Sequence, residues 1–329
     1  MSLLAPTLEA FFTERLAGQR EASPHTVAAY RDTLRLLLGF LYQSTGKAPS
    51  QLDFDDLGAA RIGSFLDYLE QERGVSASTR NARLAAIRSL FRFAALRHPE
   101  HAALIHRVLA IPSKRYDRAL VTFLNREEID ALLTSPDRET WIGRRDHALL
   151  TVAIQTGLRV SELVSLRRAD LDLRAGAHVR CLGKGRKERC TPITKHTVAV
   201  LRVWLAERRG GPSDPLFPGP SGARLGRHAV SRLVSKYASI AAVSCPSIAK
   251  KRVSPHILRH TNAMQLRQSG ADSLSIALWL GHESPRTTQI YLHSDLTMKE
   301  RTIARTAPPG TKPGRYRPTD ALLAFLAGL

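Results

Sequence analysis

Cysteine is nearly absent. Cys181, Cys190 and Cys245 are the three in 329 residues, an odd and sparse set without a CxxC pair, which argues against a disulfide framework or a zinc site. Cys181 and Cys190 are expected to face each other across a hairpin as reduced thiols. No uninterrupted apolar run reaches membrane-spanning length, and no helix pattern joins a basic face to a bulky aromatic one, so no membrane partner is expected. The opening stretch MSLLAPTLEAFFTERLAGQR lacks a basic n-region and carries Glu9 and Glu14 within its apolar pattern. It therefore reads as a helix and not a signal peptide, and the protein is expected in the cytoplasm. Acidic residues are the other shortage: 29 Asp and Glu stand against 49 Lys and Arg, a formal charge of +20. A folded chain with that excess suits a partner with a polyphosphate backbone, so nucleic acid is the expected partner.

What is present is globular: 43% of residues are hydrophobic, and the length suits two domains. From Thr7 to about Arg107 apolar residues recur three and four apart, as in Val27, Tyr30, Leu34, Leu37 and Leu41, or Leu84, Ile87, Leu90 and Phe91. The pattern predicts four amphipathic helices and an all-helical first domain over residues 1–109. Ser23-Pro24 and Ser78-Thr79 stand at two of the predicted helix starts. The fourth helix carries Arg80, Arg83, Arg88 and Arg92 outside its apolar stripe, a solvated charged face or a set of phosphate contacts. Residues 110–123, with Pro112 and a basic cluster, read as an interdomain linker. A second domain follows over 124–305, opened by Asn125 and Glu128 at capping-box spacing, with a tail over 306–329. Within it HVRCL and RCTPI are short strand-like runs around GKGRKE, a hairpin whose second strand Pro192 restricts to an edge. Helices are predicted at 194–208, 226–241 and 257–268. The fold class is mainly α with a small β-sheet.

Single residues say little here. Arg159, just after Gly157, fits a salt-bridge donor as well as a catalytic group. Lys184 lies in a glycine-containing basic loop that fits a solvated turn or a phosphate clamp. His256 and Arg259 are three apart and share one helix face. His260 points elsewhere and reads as a packing or capping residue. His282 follows Gly281, and Tyr291 lies among Ile290 and Leu292. In combination the order Arg, Lys, HxxR, GH, Tyr matches the needs of a metal-free transesterification at a phosphodiester. Two guanidinium groups stabilise the charge of a pentacoordinate phosphorus. A phenol supplies an oxygen nucleophile, a histidine handles its proton, and a lysine protonates the departing oxygen. No carboxylate cluster suited to Mg²⁺ accompanies them, so neither metal nor cofactor is expected.

The stretches TGLRVSELVSLRRADLD, GKGRKERCTPI and HILRHTNAMQLRQSGADSLSIALWLGHESPRTTQIYLH resemble the motifs of the tyrosine recombinase (phage integrase) family. SPHTVAAYRDTLRLLLGFL and SASTRNARLAAIRSLFRFA are similar to its helical, SAM-like core-binding domain. The resemblance covers about residues 7–300. It implies a two-domain C-shaped clamp on duplex DNA, with a mixed α/β catalytic domain. It also implies that Arg159 and Arg259 bind the scissile phosphate, Lys184 is the general acid, His256 assists proton transfer, His282 hydrogen-bonds the phosphate, and Tyr291 attacks to form a 3′-phosphotyrosyl link. Glu162 is then an orienter of Arg159. The implied assembly is a homo-oligomer on DNA, a tetramer in the synapse, or a hetero-assembly with sister recombinases. The first helix starts by Thr7, which favours a core-site enzyme over one with an extra arm-binding domain. The tail adds a short apolar helix over 319–329 that packs in cis or in trans. Integration, excision or transposition of a mobile element is the leading role. Xer-type dimer resolution, a type IB topoisomerase-like activity and a catalytically silent DNA-binding regulator are the alternatives. Core positions behind the site are expected at Met264, Leu266, Leu274, Ile276 and Leu280.

Overall fold

A computed structural model describes residues 4–116, 121–183, 188–208, 210–281 and 288. The chain divides into two units, Met1–Arg118 and Ala119–Leu329. Among the described residues no helix is long and apolar enough to cross a membrane.

In the first unit α1 (Leu4–Ala10) runs on into a wider π-type winding over Phe11–Gln19. Then come α2 (Pro24–Thr45), α3 (Ala59–Gln71), α4 (Ala77–Ala94) and α5 (Ala102–Leu109). Ser23 caps α2 by accepting the Thr26 N–H at 3.2 Å, and Pro24, which lacks an N–H, fills the first turn. The cap of α4 is Ser76, which accepts the Thr79 N–H at 3.3 Å. The predicted start at Ser78-Thr79 lies two residues too late, because both are already inside the first turn. The fifth helix, α5, was not expected: with 8 residues it is too short for a period to register, and Ile105 and Val108, 2% and 0% exposed, hold it on the core. That core joins Phe11, Leu34, Leu37, Leu41, Phe65, Leu84, Ile87 and Phe91. Each such side chain contributes about 1.5–3 kcal/mol by leaving water.

Three of the four α4 arginines are bound to partners within their own unit. Arg80 is buried, pairs with Glu70 at 3.5 Å and donates to the Pro112 carbonyl at 3.3 Å. Arg88 donates to the Ile111 carbonyl, and Arg83 donates to Thr33 Oγ1 at 3.5 Å. Asn81 exchanges two hydrogen bonds with the Lys114 backbone, at 2.8 and 3.0 Å. Residues 111–114, read from sequence as linker, are therefore strapped onto α4. Arg92 is exposed.

In the second unit α6 (Arg126–Thr134) opens on the expected capping box, the Asn125 and Glu128 bonds measuring 2.8 and 2.9 Å. The central helix α7 (Trp141–Thr156) is buried along most of its length and packs against α9 (Lys195–Glu207) and α11 (Pro255–Gln268). In chain order α8 (Val160–Ser165) follows α7, α10 (Arg227–Ser244) lies between α9 and α11, and α12 (Ser273–Leu280) follows α11. One antiparallel sheet runs in the order β1 (Leu171–Asp172), β2 (His178–Leu182), β3 (Glu188–Pro192). Pro192 closes the edge strand, where its missing N–H breaks no ladder. Fold class and edge position match the expectation. The cysteine pairing does not: the register sets Cys181 opposite Arg189 and Cys190 opposite Arg180. The two free thiols therefore sit on opposite faces, and burial pushes that of Cys181 up to about 11.

Candidate active site

The site grows from two helix ends. α7 stops at Gly157 and α12 at Gly281, both left-handed at φ 63° and 64°. At Gly157 a side chain is excluded twice over, since a Cβ would lie 2.6 Å from Asn262 Oδ1 and 2.7 Å from Leu280 Cδ2. Close packing of the two ends aims their last carbonyls, the negative ends of the helix dipoles, into one small space.

Cations fill that space. Arg259 on α11 is 4% exposed and donates from Nη1 to the Gly157 carbonyl and from Nη2 to the Leu280 carbonyl, both at 2.7 Å. Arg159 stands at the position just before α8 and donates from Nη2 to the Gly281 carbonyl at 3.0 Å. The two arginines, 100 residues apart in sequence, thus hang from adjoining carbonyls. Arg159 keeps 34% of its side chain exposed, which leaves part of its fork open toward a ligand.

Glu162 orders the arrangement. Its Oε2 accepts the Arg159 backbone N–H at 2.8 Å, and its Oε1 accepts Arg159 Nη1 at 3.0 Å. Arg189 on β3 grips the same carboxylate from the other side, at 3.1 Å to Oε1 and 2.9 Å to Oε2. Burial works to raise the Glu162 pKa, but hydrogen bonds and charge, first from Arg189 and then from Arg159, outweigh it and hold the carboxyl below its usual value. Glu162 remains ionised.

His256 stands one turn before Arg259 on α11, whose first turn is capped by Ser254 with Pro255 next. Much of the residue is exposed, while one side of its ring packs edge-on against His260 with 4.2 Å between centroids. Partial withdrawal from water, then repulsion from Arg259 and Arg159, lowers its pKa below the ordinary 6.5. A neutral imidazole at that place can accept a proton.

Behind the site Ala263, Met264, Ile276 and Leu280 form a buried cluster with Leu266 packed against it. Trp279 Nε1 ties α12 to the end of α7 through the Thr156 carbonyl at 3.2 Å. Leu274, expected in this core, is 59% exposed. Asp272 sets the start of α12, and from that phase Ile276, Ala277 and Leu280 point inward while Leu274 points out.

Of the six residues expected to act, Arg159, His256 and Arg259 are brought together here. Lys184, His282 and Tyr291 lie outside the described residues. Arg189 escaped the sequence reading because it sat in a run of basic residues. Strand alternation held the usable signal, since Arg189 shares a face with Thr191, which is 1% exposed.

Known proteins resemble this chain over most of its length. Residues 122–298 match the phage integrase family, and residues 10–98 match the phage integrase N-terminal SAM-like domain. A Sinorhizobium fredii protein named "Putative integrase/recombinase y4rC" is 56% identical over 99% of this chain and 98% of its own length. The tyrosine recombinase XerC of Pelobacter propionicus is 35% identical over 87% of this chain and 90% of its own. Among solved structures, the XerH site-specific recombinase in its post-cleavage complex superposes with a TM-score of 0.70 at 24% identity, over 88% of this chain and 82% of that one, a likeness of fold. The chain belongs to the phage integrase family: it is a tyrosine recombinase, an enzyme that cuts and rejoins DNA strands.

Proposed function

We propose that this recombinase moves a mobile element, by integration, excision or transposition, acting in the cytoplasm on duplex DNA as a tetramer of itself or with sister recombinases. The chain-long identity to a protein named as an integrase/recombinase favours this role. Xer-type dimer resolution is the second reading, favoured by the 35% identity to a XerC. Attachment sites or neighbouring recombinase genes in the flanking DNA decide for the first. An isolated gene with a dimer-resolution site decides for the second.

In the proposed reaction the Tyr291 oxygen attacks the scissile phosphorus and bonds to it. His256 takes up the phenolic proton, the 5′ oxygen leaves, and Lys184 supplies the proton it needs. Arg159 and Arg259 carry the added negative charge of the transition state, and His282 hydrogen-bonds the phosphate. The resulting 3′-phosphotyrosyl ester conserves the bond for rejoining to a second 5′ hydroxyl. One observation supports this reading above the others: Arg159 and Arg259 are held by backbone carbonyls of neighbouring helix ends. Two such groups, oriented before substrate arrives, suit one phosphate.

A nicked suicide duplex tests it. The parent chain should trap a covalent 3′-DNA adduct on Tyr291, and Tyr291→Phe should bind the same duplex and trap none. An adduct that survives in Tyr291→Phe contradicts the assignment.

A further inference from the structure

Arg189 lies at the centre of the site, although the proposed reaction gives it no step. Its fork closes on both oxygens of Glu162, at 3.1 and 2.9 Å, and the two side chains are only 12% and 4% exposed. Glu162 in turn holds Arg159 through the backbone N–H and Nη1. Two cations therefore share one anion, and the trio keeps one positive charge. Without Arg189 the trio is neutral, and a desolvated carboxylate within 3.0 Å of Arg159 opposes any phosphate that arrives there.

Two further observations set this contact apart from ordinary strand packing. The Arg189 Nε–H is buried with no hydrogen-bond partner, a cost that an apolar residue on β3 would avoid. The guanidinium also lies against Gly281, so that a Cβ there would stand 2.7 Å from Nη1. Arg189 thus meets the turn whose carbonyl holds Arg159.

We propose that Arg189 is a positioning residue for strand cleavage: it neutralises Glu162, so that the carboxylate orients Arg159 without cancelling its charge toward the scissile phosphate. The assignment rests on Arg159 being a ligand of that phosphate. It requires no contact between Arg189 and DNA, and it predicts that the harm done by losing Arg189 resides in Glu162.

Single-turnover cleavage of a nicked duplex tests this in a double-mutant cycle. Arg189→Ala should bind duplex like the parent and cleave about 10- to 100-fold more slowly, on the scale of one lost preorganised charge. Glu162→Gln in that background should restore at least about threefold of the rate, because it removes the uncompensated anion. The ratio of the Arg189→Ala rate to the parent rate should also rise as pH falls, since protonating Glu162 has the same effect. A merely structural arginine gives neither response. If Arg189→Ala does not fold, Arg189→Lys with and without Glu162→Gln reads the same coupling. Parent-like cleavage by Arg189→Ala overturns the assignment, as does a double variant no faster than the single. Parent-like cleavage by Arg159→Ala, run alongside, overturns instead the phosphate reading on which the assignment rests.

Discussion

Two sets of arginines, one in each unit, show how the same residue type acquires opposite roles. On α4, Arg80 and Arg88 donate to carbonyls of residues 111–112, and Arg80 also pairs with Glu70. These guanidiniums close an intramolecular strap. In the second unit Arg159 and Arg259 also donate to carbonyls, but those carbonyls belong to two helix ends that meet in one space. There the backbone orients the cations while Arg159 stays partly open. A carbonyl partner therefore does not distinguish a structural arginine from a functional one. What differs is the origin of the anchoring groups: one extended segment for Arg80 and Arg88, converging helix ends for Arg159 and Arg259.

Substitutions test the contrast. The largest effect belongs to the second unit: Arg259→Ala should slow cleavage by about 10² to 10³, the cost of one preorganised donor, with duplex binding largely kept. Single-turnover kinetics on a nicked duplex checks it, and a rate within a few-fold of the parent would erase the distinction. Arg80→Ala should act the other way. It should destabilise the first unit by about 1–2 kcal/mol through loss of a buried, charge-assisted contact, while the cleavage rate of the bound complex stays near the parent value. Chemical denaturation and the same kinetic assay separate the two.

The smallest effect is a titration. Folding lowers the His256 pKa below 6.5, first by partial burial and then by repulsion from Arg259 and Arg159. The folded chain therefore binds that proton more weakly than the unfolded chain does, and this group's contribution to stability is fully present above pH 6.5 and is lost as pH falls below it and through the lower folded value. Imidazole NMR should place the folded pKa under 6.5 in the parent, rising in Arg259→Gln. An unchanged value would mean that the arginine charge does not reach the ring.

These contrasts also mark what sequence alone can reveal. The longer helices α2, α3, α4, α9, α10 and α11, the hairpin and its edge proline are legible because period and proline chemistry act locally. Arg159, His256 and Arg259 stood out by order and spacing, and Glu162 by its place three residues after Arg159. The destination of Arg80 was not legible, since its carbonyl partner lies 32 residues away. Ser76 was overlooked as a cap because Ser78 and Thr79 compete with it in the same turn. Leu274 was misplaced because an apolar residue says nothing of helix phase until Asp272 sets the start. Arg189 was hidden in a basic run, and strand register against Cys181 gives it an inward direction that composition does not carry.

If Arg159 and Arg259 act by stabilising negative charge on one phosphate, a substrate neutral at that phosphate should relieve the need for them. Cleavage of a nicked duplex with a methylphosphonate at the scissile position, where a methyl group replaces one non-bridging oxygen and removes the single negative charge, should depend far less on these arginines than the natural phosphate does. The account predicts that Arg159→Ala and Arg259→Ala lose about 10² to 10³ in rate on phosphate and recover most of that loss on methylphosphonate. An equal loss on both substrates would contradict it.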